Sequence, residues 1–197
     1  MTAAIDTADH ELLHQTHAGR ADAFTALYRR HQGPLYRYAL MRCGAPEMAA
    51  DVVQDAFMGL LTGRFAFDPL RGQLQHFLFG VARKLILKLE APRQRQVALA
   101  EPDEDGELDL DAAAEGAEPL ARLLGNEAAE AVRQALGLLP PHYRDVVILF
   151  ELHELSYQEI AAVCQLDIGT VRSRLSRGRA ALAKRLKAHA PLPCLAH

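Results

Sequence analysis

Basic side chains crowd the last strongly helical segment of the chain. Seven of them and no acidic residue lie between Asp167 and His189: Arg172, Arg174, Arg177, Arg179, Lys184, Arg185 and Lys187. Guanidinium and ammonium groups at helical spacing suit contacts with phosphates and with guanine edges. A solvated helix face is the alternative for a run that stands alone. The first chemistry that the sequence suggests is therefore binding to a polyanion.

Three histidines near the start of the chain have a spacing that suits metal ligands. His10, His14 and His17 stand at i, i+4 and i+7, which places three imidazoles on one face of a helix. The neighbouring residues, however, read as a polar tail without an apolar stripe to hold such ligands rigidly. No metal is predicted, and a metal-responsive binding protein is kept as an alternative.

The sequence contains no motif that is typical of an enzyme. It has no Gly-rich phosphate loop and no nucleophile motif. Cys43, Cys164 and Cys194 are an odd number without a CxxC pair, so we predict free thiols rather than a disulfide framework. We predict no catalytic residue, no cofactor and no enzymatic activity.

The net charge of −3 hides a separation of charge along the chain. Nine acidic residues and no basic one lie between Val97 and Ala121, and the rest of the chain holds 22 basic and 16 acidic residues. The segment also contains Pro102 and Pro119, and it has too little apolar surface to offset the entropy of ordering. We predict a flexible acidic linker over residues 91–121 between two small domains.

The elements on either side of this linker have the periodicity of helices. An apolar stripe repeats every four positions from Val52 to Leu61, and Asp51 and Asp55 occupy the opposite face. An earlier helix should be kinked or split at Gly33-Pro34, because proline has no backbone N–H to donate.

A further helix of the first domain begins at Leu74. It carries Arg83, Lys84 and Lys88 on its polar side. No segment of the chain alternates like a strand, and no stretch of eighteen apolar residues occurs. The sequence therefore predicts an all-α fold and a cytoplasmic protein.

The second domain is predicted to end in a helix-turn-helix. Helices over about 122–139 and 141–152 precede it. Ser156 and Glu159 form a capping box before a short helix that ends near Cys164, and Asp167 is a candidate N-cap of the basic helix. A short helix, a tight turn and a long basic helix are typical of a motif that enters the DNA major groove.

Two stretches resemble the sigma-70 family of RNA polymerase sigma factors. Segments 139–144, 155–161 (LSYQEIA) and 169–175 (GTVRSRL) are similar to region 4, and segment 49–57 (AADVVQDAF) is similar to region 2.2. The absence of a middle sigma domain implies the extracytoplasmic-function (ECF) type. The resemblance implies a tail at 1–20, region 2 at 21–90, the linker, region 4 at 122–188 and a tail at 189–197.

The resemblance also implies three sets of contact residues. Contact with the polymerase core would use Asp51, Val53, Gln54, Asp55, Phe57 and Met58. The −10 promoter element would meet Phe65, Phe67, Arg71, Arg83, Lys84 and Lys88. The −35 element would be read by Arg144, Gly169, Thr170, Arg172, Ser173, Ser176 and Arg177.

The partners implied by the resemblance are the β and β′ subunits of core RNA polymerase, promoter DNA and an anti-sigma factor. A stand-alone helix-turn-helix regulator, which would bind DNA without polymerase, is the main alternative. Dependence on polymerase separates these two hypotheses.

Overall fold

The computed structural model of the protein describes residues 8–98 and 120–189. Within these two ranges the chain forms helices and no strand, which confirms the all-α prediction. The α-helices are α1 (Asp9–His17), α2 (Ala21–Cys43), α3 (Pro46–Leu61), α4 (Leu74–Ala98), α5 (Leu120–Gly137), α6 (Pro141–Glu151), α7 (Tyr157–Cys164) and α8 (Ile168–His189). A short 3₁₀ helix, Pro69–Arg71, precedes α4.

Helices α1 to α4 form the first domain around a continuous apolar core. Helix α2 packs against α1, α3 and α4, and its Leu27, Leu35 and Tyr38 are at most 1% exposed. Helix α2 continues through Pro34, where the sequence predicted a kink or a split. Buried residues on both sides of the proline bind the two halves to one core, and this packing offsets the lost backbone hydrogen bond.

Helix α1 lies within the segment that was predicted to be a tail. Leu12 and Leu13 are buried against the first domain. The carboxylate of Asp9 also lies 2.5 Å from Arg30 Nη1 and 2.9 Å from His31 Nε2, and both partners belong to α2. Two leucines and one acid were too short a pattern to indicate a docked helix in the sequence.

Helices α5 to α8 form the second domain. The capping box of α7 is present as predicted: Ser156 Oγ accepts from the Glu159 N–H at 3.3 Å, and Glu159 Oε2 accepts from the Ser156 N–H at 2.7 Å. Helix α7 ends at Cys164, and the next residue, Gln165, adopts a left-handed conformation with φ of 58°. Val171 and Leu175 of α8 then turn inward and are 0% and 2% exposed.

Two helices border the segment between the domains. Helix α4 extends to Ala98 and α5 begins at Leu120, so both helices run into the predicted linker at 91–121. The acidic run from Glu101 to Glu118 lies outside the described residues. No described helix is long and apolar enough to cross a membrane.

The two domains pack directly on each other. Helix α2 contacts α5 and α6, and α4 contacts α7. The helices approach closely, because a Cβ atom added at Gly80 of α4 would lie 3.6 Å from the Val163 carbonyl oxygen of α7. Residues of both predicted DNA-binding sets lie in or beside this contact.

Candidate nucleic-acid interface

The exposed face of α8 carries most of the residues predicted to read the −35 element. Thr170 is half-buried, and its carbonyl accepts a 3.0 Å hydrogen bond from Ser173 Oγ. The exposed members of this set are Gly169, Arg172, Ser173, Ser176 and Arg177. Small side chains at the start of the helix let its backbone approach a phosphate chain. The arginines supply the bidentate donors that guanine accepts.

Aromatic rings of α6 and α7 support two arginines of α8. The Arg172 guanidinium lies over the Tyr157 ring at 5.7 Å, and the Arg179 guanidinium lies over Phe150 at 4.7 Å. Arg179 also donates to the carboxylate of Glu151. Arg179 is therefore engaged within the second domain, whereas Arg172 has only a ring beside it and keeps its donors available.

Arg144 is the predicted −35 residue that the structure separates from this face. Its guanidinium donates 2.8 Å hydrogen bonds to the carbonyls of Arg42 and Leu139, and a further one to Gly137. Burial, and then the charge of Arg42, lower the pKa of Arg144 to about 10. In this conformation Arg144 joins the second domain to the first instead of facing outward.

The loop predicted to meet the −10 element packs two aromatic rings against helices α3 and α4. Phe65 packs over α3 at Gly59, where an added Cβ would lie 2.2 Å from its ring, and Arg64 covers the ring at 4.5 Å. Phe67 packs against Phe77 with ring centroids 5.5 Å apart. Both predicted phenylalanines are half-buried.

The cations of the predicted −10 set divide into two groups. Arg71 of the 3₁₀ helix and Lys84 and Lys88 of α4 are exposed. Arg83 is instead turned toward the second domain, where its Nε donates to Asp145 Oδ2 at 2.9 Å. Three of the four cations are therefore accessible to a nucleic-acid strand, and Arg83 is engaged.

A buried ionic cluster between the domains was not predicted from the sequence. Asp145 of α6, 2% exposed, accepts hydrogen bonds from Arg42 Nε at 2.6 Å, from Arg83 and from the Tyr38 hydroxyl at 3.1 Å. Glu90 binds the other two nitrogens of Arg42 at 2.6 and 2.9 Å. One signal in the sequence points to it: Asp145 stands four residues before Leu149, on the buried face of its helix.

Helix α3 presents an acidic edge beside an open apolar groove. Asp51, Gln54 and Asp55 are exposed, and Met58 is 50% exposed. Val53 and Phe57, 4% and 2% exposed, belong to the core, although they reach the floor of the groove. The groove, about 450 Å³, runs between α2 and α3, with Tyr28, Tyr36 and Ala50 also in its wall.

The histidine and cysteine side chains of the described residues form no metal site. Among these residues no group of three or more His, Cys, Asp or Glu side chains is placed to hold a metal ion. His17 Nε2 instead lies 3.2 Å from the Leu60 carbonyl oxygen. Cys43 and Cys164 are free thiols, as predicted, and burial raises the pKa of Cys164 to about 12. Cys194 lies outside the described residues.

Sequence profiles of two domains match this chain. Sigma-70 region 2 matches residues 27–95, and Sigma-70, region 4 matches residues 129–182. The ECF RNA polymerase sigma factor SigM of Mycobacterium tuberculosis is 32% identical over 92% of this chain and 86% of its own length. SigE of Mycolicibacterium smegmatis, an ECF RNA polymerase sigma factor, is 30% identical over 83% of this chain, which spans 61% of the SigE length.

A solved complex has the same fold. The sigma factor RpoE of Bartonella quintana, bound to the anti-sigma factor NepR, superimposes with a TM-score of 0.62 at 25% sequence identity. The match covers 84% of this chain and 98% of that one.

A helix-turn-helix with a basic outer face, packed on a second helical domain, defines a DNA-binding protein of two domains. The two profiles and the relatives show that the chain belongs to the sigma-70 family, as an RNA polymerase sigma factor of the ECF type. It directs transcription initiation by RNA polymerase and is not an enzyme. This membership decides against the stand-alone regulator.

Proposed function

We propose that the acidic edge of α3 and the groove beside it form the surface that binds core RNA polymerase. The observation that carries this proposal is the exposure of Asp51, Gln54, Asp55 and Met58 along one edge, next to an apolar groove with no described segment in it. Exposed acids suit a basic partner surface, and a half-exposed methionine beside tyrosine rings suits an apolar anchor. The β′ subunit is the partner that the family resemblance implies for this segment.

The promoter contacts follow from the two remaining surfaces. The exposed face of α8 reads the −35 element in the major groove through Arg172 and Arg177, with Ser173 and Ser176 on the backbone. Phe65 and Phe67 stack on unpaired bases of the −10 element, and Lys84 and Lys88 hold the strand. The partial exposure of both phenylalanine rings and the exposure of both lysines support these assignments.

The affinity for core RNA polymerase, measured by fluorescence anisotropy of the labelled full-length protein, tests the proposed docking surface. Met58→Glu places a charge in the groove and is expected to weaken binding about tenfold or more. Leu89→Glu is the matched control, because Leu89 of α4 is equally exposed, at 48%, and lies outside the proposed surface. Equal affinities of both variants would contradict this placement of the docking surface.

An anti-sigma protein is a further proposed partner. The solved RpoE chain with the same fold is bound to the anti-sigma factor NepR. The groove between α2 and α3 and the exposed side of α8 are the apolar and basic surfaces of this chain that such a protein would cover. Direct binding of this partner to the wild-type protein, weakened by Met58→Glu and not by Leu89→Glu, tests the use of the groove.

A further inference from the structure

A row of four contacting side chains lies at the surface of the second domain. The Arg172 guanidinium lies over the Tyr157 ring, and Tyr157 stacks on Phe150. The Arg179 guanidinium lies over Phe150 in turn. We propose that Tyr157 is a positioning residue for promoter recognition, because its ring orients Arg172 toward a guanine of the −35 element. The inference rests on the proposed function, since the orientation of Arg172 matters only if this arginine reads a base.

The Tyr157 ring is held at the start of α7. Tyr157 is the first residue of this helix and directly follows Ser156, whose capping box with Glu159 fixes the first turn. The Leu155 N–H donates to the Leu149 carbonyl at 3.1 Å and closes the turn that precedes the helix. Backbone contacts on both sides of Ser156 therefore fix the position from which the ring projects.

The ring of Phe150 supports Tyr157 from α6. The two ring centroids lie 5.4 Å apart with 26° between their planes, which is a stacked arrangement. Arg179 lies over Phe150 at 4.7 Å and donates to the carboxylate of Glu151, so its charge is neutralised within the domain. The two rings therefore form a platform whose parts are all held by the second domain itself.

Arg172 differs from Arg179 in having no carboxylate beside it. Among the side chains that the structure describes, none forms a hydrogen bond or an ion pair with Arg172, and the Tyr157 ring lies 5.7 Å from its guanidinium. A cation–π contact leaves the N–H groups at the edge of a guanidinium free to donate. The ring can therefore set the direction of the guanidinium without using the donors that a guanine edge accepts.

Orientation matters for Arg172 because an arginine side chain is long and flexible. An exposed arginine gives up much of its rotamer freedom when it binds a base through two hydrogen bonds. Contact with a fixed ring removes part of this freedom before DNA binds, and the contact strengthens where the DNA excludes water. Guanine offers two acceptors in the major groove and the other bases at most one, so a preoriented guanidinium favours guanine.

Arg177 provides a comparison on the same helix. It is exposed and belongs to the same predicted −35 set, but no ring among the described residues lies over its guanidinium. A base that Arg177 contacts is therefore expected to be read independently of Tyr157.

The experiment measures the base preference at each position of the −35 element. Holoenzyme reconstituted from core RNA polymerase and the full-length protein selects from promoter-length DNA fragments randomised across both elements, and the bound and input fragments are sequenced. Arg172→Ala and Arg177→Ala identify the position that each arginine reads. Tyr157→Leu is expected to lower the preference for guanine about threefold at the Arg172 position, the effect of one exposed cation–π contact, and to leave the Arg177 position unchanged.

Two further variants separate positioning from other roles of Tyr157. Tyr157→Phe keeps the ring and is expected to keep the guanine preference, whereas it removes any phosphate contact of the hydroxyl. Tyr143→Leu is the matched control, because it removes another half-buried ring of the second domain, one that contacts the ring of His142. A base preference is a ratio between sequences bound by the same protein, so a smaller folded fraction does not change it.

The double variant Arg172→Ala plus Tyr157→Leu is expected to show the same base preferences as Arg172→Ala alone. A guanine preference that persists in Tyr157→Leu, or that is lost equally in Tyr157→Phe or Tyr143→Leu, would overturn the inference. A guanine preference that does not depend on Arg172 would overturn it as well. The absence of any −35 preference in the wild-type holoenzyme would instead contradict the proposed promoter contacts, and the inference with them.

Discussion

At the scale of single residues, the packing of α6 against Gly178 of α8 outweighs the low helix propensity of glycine. Helix propensity alone predicts that Gly178→Ala stabilises α8 by about 1 kcal/mol. A Cβ at this position, however, would lie 2.7 Å from Val147 Cγ2 and 3.3 Å from Tyr143 Cβ, where α6 crosses α8. We expect Gly178→Ala to lower the free energy of unfolding by about 1 to 3 kcal/mol, as overpacking does.

Chemical denaturation of wild type and variants measures this effect. In a Val147→Ala background the clash is relieved, and Gly178→Ala should become neutral or stabilising. Gly137→Ala is the control, because a Cβ at Gly137 meets nothing within 4 Å. An increase in stability from Gly178→Ala in the wild-type background would show that α6 and α8 do not approach as closely as described.

The sequence indicated which side chains face outward better than it indicated which side chains contact each other across the fold. The order of side chains along α8 was sufficient to predict that Arg172 and Arg177 face outward, because helical spacing fixes it. Arg144 and Asp145 were different, since their partners Arg42 and Arg83 are separated from them by some 60 to 100 positions in the chain. No local pattern in the sequence records such a pairing.

At the scale of elements, the turn of the helix-turn-helix carries local strain. Gln165, which follows the last residue of α7, has φ of 58° and ψ of 52°. This conformation costs a residue with a side chain roughly 1 kcal/mol and costs glycine almost nothing. We expect Gln165→Gly to raise the free energy of unfolding by about 0.5 to 1 kcal/mol. Thermal unfolding followed by circular dichroism measures the change.

Gln165→Ala separates strain from the loss of the side chain. Alanine keeps the Cβ and therefore the strain, so Gln165→Ala should be no more stable than wild type. Equal stabilisation by both substitutions would mean that the side chain, and not the backbone conformation, opposes folding.

Elements with strong local signals were predicted well. The capping box of α7 and the four-residue repeat of α3 appear where the sequence placed them. Helix α1 was missed because tertiary contacts of Leu12, Leu13 and Asp9 hold it. Helix α2 stayed whole through Pro34 for the same kind of reason, since its buried face outweighs one missing hydrogen bond.

At the scale of the whole molecule, His153 makes the domain contact sensitive to pH. Burial, and then the charge of Arg37, lower the pKa of His153 from 6.5 to about 4. The unfolded chain therefore takes up a proton at higher pH than the folded one does. Stability from this site is complete above about pH 6.5 and is lost as pH falls toward 4.

The unfolding free energy of wild type is expected to fall by about 1 to 2 kcal/mol more than that of His153→Phe between pH 6.5 and 4, after allowance for the partial exposure of the ring. Denaturant titrations at several pH values measure how the unfolding free energy of each protein changes with pH. Parallel pH profiles of the two proteins would show that His153 is protonated as easily in the folded protein as in the unfolded chain.

The most direct test of the account as a whole is gel filtration of the full-length protein with core RNA polymerase. Wild type is expected to co-elute with the enzyme, and Asp51→Arg plus Asp55→Arg is expected to elute alone. Glu11→Arg plus Glu154→Arg carries the same change of charge on exposed acids elsewhere and should co-elute like wild type. Co-elution of the Asp51 and Asp55 variant as complete as that of wild type would contradict docking through the acidic edge of α3.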